Sequence, residues 1–341
     1  MADRPLVIAA PEPRTLPLIF TDAALRDLFD RYDVVEATGD ALPHLPADTL
    51  AEARYVIGQP RLPADLLGRM PALRCVFNVE GNLLPNMDYD AAFARGVHVV
   101  TTAAVFAEPV AEIGLGFALA LARNIHGAHA DLSGGREAWG LESNAGARLL
   151  TGSTVGILGF GTLGQAVARV LADFRPRLLA HDPWQAASVT RALGAEPVEL
   201  DTVLSEAETL FVCAAVTSDN QGFLGAAEFA RMRPGAALIL LSRAGVVDFD
   251  ALMEAVRSGR LRAASDVYPE EPLAPDHPVR TLPGFLHSAH RAGALDSAFK
   301  RMGDMLLEDM GLMDRGLPPQ VCKRAERETV ARLRSKPVSV S

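Results

Sequence analysis

A chain of 341 residues is too long for one ordinary core and predicts two domains. Apolar residues make up 49% and charged residues 22%, the balance of a folded globular protein and not of a disordered one. A formal net charge of −9 argues against a general polyanion binder, which needs clustered Lys and Arg, so no nucleic-acid partner is expected. Residues 1–5 show no charged region followed by a long apolar core, so no secretory signal is expected. The longest apolar stretch, 110–122, contains Glu112 and reads as too short to span a bilayer, so no membrane partner is expected. Cys75, Cys213 and Cys322 are odd in number and far apart, without disulfide or metal-ligand spacing. They predict no metal site and a reducing, cytoplasmic location, with Cys75 and Cys213 in the core.

The first hundred residues alternate short strands at 6–9, 34–36, 55–58, 74–78 and 98–101 with helices at 22–31, 47–53, 63–68 and 89–95. Such a βα repeat predicts a parallel sheet wrapped by helices. Residues 108–125 read as one long helix, apolar nearly all round, which predicts burial between two bodies. From 127 to 150 the chain is polar and glycine-rich.

An apolar strand at 154–158 then runs into Gly159-Phe160-Gly161-Thr162-Leu163-Gly164. A helix follows with Leu163, Val167, Val170 and Leu171 on one face, then a strand at 177–180 that ends at Asp182. This is a complete βαβ dinucleotide-binding unit. Gly159 suits the tight turn, Gly161 lets the backbone approach a pyrophosphate, and Gly164 lets the helix pack closely on the strand. The helix N-terminus, with Thr162 and Leu163 in its first turn, offers unpaired N–H groups and a positive dipole end to the phosphates. Asp182, eighteen residues past Gly164, is placed to accept hydrogen bonds from the adenosine ribose and to repel a 2′-phosphate. Pro183, Trp184 and Gln185 follow it with no Arg among them, which favours NAD over NADP.

The alternation resumes with strands at 209–214, 237–241, 263–267 and 284–287 and helices at 201–206, 226–232 and 248–258. Three strand ends carry chemistry. Ser242-Arg243 ends one strand, Asp266 and Glu270-Glu271 follow the next, and His290 follows the last. Ligands of open α/β sheets bind at such ends. A guanidinium grips a carboxylate through two parallel hydrogen bonds, and a carboxylate beside an imidazole can orient and charge it. A final helix at 297–314 is long enough to return to the first domain. The remaining residues, 315–341, carry Lys323, Arg324, Arg327, Arg332, Arg334 and Lys336 and read as a solvated tail or an arm on a neighbouring subunit.

From about Leu73 to Met310 the sequence resembles the NAD-dependent D-isomer-specific 2-hydroxyacid dehydrogenases. The resemblance rests on Ala107-Glu108-Pro109-Val110-Ala111-Glu112, the dinucleotide unit, Ser242-Arg243-Ala244-Gly245, Asp266-Val267-Tyr268-Pro269-Glu270-Glu271-Pro272, and His290. It implies an α/β protein: a Rossmann-type doubly wound cofactor domain over 104–292, and a smaller flavodoxin-like substrate domain made of 1–103 and 293–341. It implies a catalytic set of Arg243, Glu271 and His290, with Glu271 preferred to Glu270 because the family's acid directly precedes the proline. It places Asp266 close to the nicotinamide and adds Thr217, Ser242, Arg243 and His290 to the NAD-binding residues. It also implies a small 2-hydroxy or 2-keto acid as substrate, and a homodimer built largely on the cofactor domains.

The family's glycine-rich substrate loop falls on residues 78–88, where Glu80, Gly81 and Asn82, with Arg243, are the candidate substrate contacts. Gly81 is kept, but Leu83 and Pro85 replace the family's second glycine and its acid, and Ala244 stands where glycine is usual. Glu80 admits two orientations: beside the anion site, where it disfavours small anionic acids, or toward solvent. Another class of function also fits the resemblance, an NAD(H)-sensing binding protein of the co-repressor type. Absence of turnover with every 2-keto acid alongside tight NADH binding distinguishes it.

Overall fold

The computed structural model describes residues 4–332. The chain divides into two compact units, one of residues up to Phe106, 217–219 and the described residues from Ala294 on, the other of 107–216 and 220–293.

The first unit opens with β1 (Leu6–Ala10), β2 (Asp33–Glu36), β3 (Ala53–Gly58), β4 (Cys75–Asn78) and β5 (His98–Thr101). They pair in parallel in the order β5-β4-β3-β1-β2, the flavodoxin-like sequence of strands. Every residue of β4 is buried, as expected of a central parallel strand covered on both faces. The helix Asp22–Arg31 starts at Thr21, whose hydroxyl accepts from the Ala24 N–H, and buries Ala24 and Leu28.

The second unit holds β6 (Thr154–Leu158), β7 (Arg177–His181), β8 (Ala195–Pro197), β9 (Thr209–Val212), β10 (Ala236–Leu240), β11 (Leu261–Ser265) and β12 (Phe285–His287). All are parallel, in the order β12-β11-β10-β9-β6-β7-β8. The strand order reverses between β6 and β9, the switch point outside which dinucleotides bind. β8 and the helix Ala187–Ala192 are additions to the expected elements. An edge strand of three residues that includes Pro197 carries too little apolar alternation to be read locally.

The long apolar helix is Ala107–Arg123, shorter at its end than expected because Asn124 turns left-handed at φ 49°. A second helix, Ile125–Ser133, then occupies part of the segment that reads only as polar and glycine-rich. The first helix buries Ala111, Gly114, Ala118 and Leu121 against the helix Thr162–Leu171 and β10 of its own unit, while Glu108 and Glu112 on its other face are exposed. With the preceding 3₁₀ turn, residues 103–123 are long and apolar enough to cross a membrane by length and composition, which corrects the expectation of a stretch too short. In the fold it is a packing helix, 44% buried over that window.

The chain closes on the first unit through the helix Asp296–Asp314, which buries Met302, Leu306, Met310 and Met313 in the same core as Tyr55 and Phe77. The hydroxyls of Tyr32 and Tyr55 donate to Asp314 at 2.6 and 2.7 Å. Beyond it the described residues through Arg332 are tied to the first unit and are not a free solvated tail. Asp309, wholly buried, accepts from the N–H groups of Gln320, Val321 and Cys322 at 2.6, 2.9 and 2.8 Å. This carboxylate turns the chain so that β13 (Lys323–Arg324) pairs antiparallel with β5. Arg334 and Lys336 lie outside the described residues.

Candidate active site

The glycine loop joins β6 to the helix Thr162–Leu171. Gly159 takes φ +85°, and a Cβ there would lie 2.5 Å from the Ala214 Cα. A Cβ at Gly164 would lie 2.2 Å from the Gly159 carbonyl oxygen, so helix and strand approach as closely as backbone allows. A Cβ at Gly161 would meet nothing within 4 Å. The loop is therefore pinched at its first and third glycines and open at the second, which leaves room for a phosphate to approach the backbone. No side chain caps the helix, so the N–H groups of Thr162, Leu163 and Gly164 have no partner inside it.

Asp182 follows β7 and holds this loop from the side. Its Oδ2 accepts from the Phe160 N–H at 2.7 Å and its Oδ1 from the Trp184 N–H at 2.9 Å. Each carboxylate oxygen has further lone-pair capacity for a ribose hydroxyl. The side chain thus shapes the glycine turn as well as offering negative charge, a role invisible in the motif. Ser242, at the end of β10, has a buried hydroxyl oxygen with no hydrogen-bond partner among the described residues. A buried orphan of this kind, two strands along the same sheet from the open glycine turn, fits a bound dinucleotide. Thr217 lies in the segment 217–219 that groups with the first unit, and its hydroxyl accepts from the Asp219 N–H at 3.3 Å.

Arg243, Glu271 and His290 follow β10, β11 and β12, three neighbours in one sheet. His290 Nδ1 lies 2.5 Å from Glu271 Oε2, and Glu271 Oε1 accepts from the Tyr268 N–H at 2.8 Å. Glu270 is exposed, so the carboxylate that meets the imidazole is Glu271. Burial pushes the Glu271 carboxyl upward. The hydrogen bonds from His290 and Tyr268 and the charges of His290 and Arg243 outweigh it and hold the group below the ordinary glutamate value. Arg243 Nη1 donates to the Ser242 carbonyl at 2.7 Å.

His290 sits at φ 48°, a backbone region that residues other than glycine seldom occupy. Asp266 explains how it is held. It is 2% exposed, its carbonyl accepts from the His290 N–H at 2.7 Å, and its carboxylate accepts from the N–H groups of Arg291 and Ala292 at 3.1 and 3.0 Å. The aspartate expected near the nicotinamide is thus the anchor of the histidine turn.

In the first unit, the loop after β4 carries Glu80, Gly81 and Asn82. The Glu80 side chain is 6% exposed and its Oε1 lies 3.7 Å from Arg14 Nη2, which overturns the solvent-facing orientation. A buried carboxylate needs a partner, and Arg14 supplies one. Burial lowers the Arg14 pKa, and the Glu80 charge works against that shift.

Residues 115–292 match the family model "D-isomer specific 2-hydroxyacid dehydrogenase, NAD binding domain". The chain is 31% identical to a glyoxylate reductase of Aeropyrum pernix over 311 residues, 87% of this chain and 92% of that one. It is 34% identical over 263 residues to a D-3-phosphoglycerate dehydrogenase of Mycobacterium leprae, covering 77% of this chain and 49% of that protein, so it spans about half the length of such relatives. A crystal structure of a phosphoglycerate oxidoreductase from Rhizobium etli superposes with a TM-score of 0.89 at 62% identity, over 95% of this chain and 99% of that one.

Proposed function

Because the chain belongs to the D-isomer-specific 2-hydroxyacid dehydrogenases, NAD-dependent oxidoreductases, we propose that it interconverts a D-2-hydroxy acid and its 2-keto acid, with hydroxypyruvate and glyoxylate as first candidates. The observation that carries this reading is the His290–Glu271 pair one strand away from Arg243. Gly159, Gly161, Gly164, Asp182 and Ser242 are the residues that would hold NAD, whose nicotinamide, when bound, supplies or accepts the hydride.

Glu271 occupies His290 Nδ1 and leaves Nε2 to exchange a proton with the substrate oxygen. In the reducing direction the protonated imidazole donates to the alkoxide as it develops, and in oxidation the neutral imidazole takes the proton back. The Glu271 carboxylate fixes the plane of the imidazole. Arg243 takes the carboxylate and carbonyl of the keto acid and stabilises negative charge on the oxygen. On the first unit, Gly81 and Asn82 are the candidate substrate contacts, with Glu80 turned to Arg14.

The test is NADH oxidation against glyoxylate, hydroxypyruvate, phenylpyruvate and 3-phosphohydroxypyruvate. The last is included because the Rhizobium etli relative is named a phosphoglycerate oxidoreductase. Turnover of one or more supports the reading. Tight NADH binding with no turnover of any would replace it with the NAD(H)-sensing alternative.

The same carboxylate that shapes the glycine turn yields a second expectation. Asp182→Ala should weaken NADH binding by about 10- to 100-fold, the effect of losing hydrogen bonds to a charged group. The preference over NADPH should shrink, and thermal stability should fall because the Phe160 and Trp184 N–H groups lose their acceptor. Fluorescence titration with both cofactors reads the first effect. Equal affinities in the unaltered protein would remove Asp182 as the discriminating group.

A homodimer built on the second unit is also part of this proposal. Its support is an exposed apolar segment within 125–149, where Trp139 and Leu141 are 77% and 90% exposed. Light scattering should give the mass of two chains, and Trp139→Asp together with Leu141→Asp should move it toward one. A monomer in the unaltered protein would refute the dimer.

A further inference from the structure

Arg14 has no place in the mechanism above, yet its environment is built. It leaves the C-terminal end of β1, and the candidate substrate loop leaves the end of β4. Arg14 Nε donates to the Val79 carbonyl at 2.7 Å, and Nη2 lies 3.7 Å from Glu80 Oε1. The guanidinium carbon stands 4.8 Å from the centre of the Phe299 ring and 5.7 Å from that of Phe106, two rings that meet edge to face. The side chain is 14% exposed. Gly81 shares this wall: it takes φ +86°, and a Cβ there would lie 2.9 Å from Phe106 Cε2. Gln59, after β3, completes the tie. Its Oε1 accepts from the Val79 N–H at 3.2 Å, and its Nε2 donates to the Pro11 and Glu12 carbonyls.

From this juxtaposition we propose that Arg14 is a positioning residue for substrate recognition: its fork fixes the backbone at Val79 and the direction of Glu80, and through them the conformation of Gly81 and Asn82. The inference rests on the dehydrogenase reading given above. Four features must coincide at this position. A planar fork reaches a carbonyl and a carboxylate together, delocalised charge stacks on two aromatic rings, the charge persists when buried, and Glu80 is compensated. Lysine meets only the charge requirement well. The loop is thus set by a residue more than sixty positions away in sequence and on a different strand end.

The consequence is a split between binding and chemistry. Arg14→Met should raise KM for the keto acid about 10- to 100-fold, the range for removing hydrogen bonds to a charged group, while NADH affinity stays within about twofold. Turnover at saturating keto acid should stay within about twofold of the unaltered protein, so the loss falls on KM and not on kcat. Arg14→Lys keeps a charge and loses the fork, so KM should rise less than in Arg14→Met and more than threefold. It carries the test if Arg14→Met does not fold.

Wild-type KM in Arg14→Met, or in Arg14→Lys where only that variant folds, would overturn the proposal. A merely structural role lowers the melting temperature without the KM effect, and would overturn it too. Failure of the underlying reading looks different. In that case the unaltered protein turns over no 2-keto acid, and its NADH complex binds no oxamate or tartronate by fluorescence titration.

Discussion

His290→Ala is expected to lower turnover about 10²- to 10⁴-fold, the usual contribution of a general acid–base group, while leaving NADH affinity close to that of the unaltered protein. The separation follows from where the groups sit. His290 follows β12 and is engaged by Glu271, whereas the glycine turn and Asp182 lie at the ends of β6 and β7. Glu271→Gln should show a smaller loss with a pH signature. An amide in place of the carboxylate takes a titrating group out of the pair, so the acid limb that Glu271 sets in the unaltered protein should disappear. Glu271 itself is held below the ordinary glutamate value. Its support of His290 is therefore complete at neutral pH and is lost only as pH falls through that lowered value. Pre-steady-state hydride transfer with NADH absorbance as the readout checks both variants, since slow product release would mask them in steady state. Wild-type hydride transfer in His290→Ala would remove the residue from the mechanism.

Arg243→Ala should damage affinity and turnover together. A donor aimed at developing negative charge contributes about 10²- to 10³-fold in kcat, and loss of the paired carboxylate adds to KM, so kcat/KM should fall by about 10³-fold or more. Arg243→Lys retains charge without the fork and should recover only part of this loss. Guanidinium ion at millimolar concentration should restore a measurable fraction of activity in Arg243→Ala and none in His290→Ala. The substitution also removes one of the charges that lower Glu271. The acid limb in Arg243→Ala should accordingly lie at higher pH than in the unaltered protein, because the carboxylate now protonates sooner as pH falls. A loss confined to NADH affinity would instead assign Arg243 to the cofactor alone.

Both experiments use residues that were legible in the linear sequence, and the reason is local. A parallel strand buried on both faces must be a short apolar run, a glycine turn must carry glycine at set spacing, and the group at a strand end lies one or two positions beyond the run. The strands β6, β9, β10 and β11, the glycine turn, Asp182 and Arg243 could therefore be read from windows of ten residues or fewer. The choice of Glu271 over its neighbour came from resemblance, and the imidazole distance gives that choice its geometry.

What only the tertiary structure decided is which distant groups meet. The turn beyond Gly316 depends on Asp309 collecting three N–H groups, and a carboxylate inside a helix carries no local sign of that role. Without it, a basic segment reads as a tail, although it supplies β13. Asp266 holds a turn twenty-five residues away, and Arg14 meets Glu80 across an even longer separation. Buried charge explains all three. A carboxylate or guanidinium out of water must find its partner, and which partner comes within reach is set by how strands and helices are arranged over the whole chain. Strand order, unlike strand identity, is a property of the whole chain.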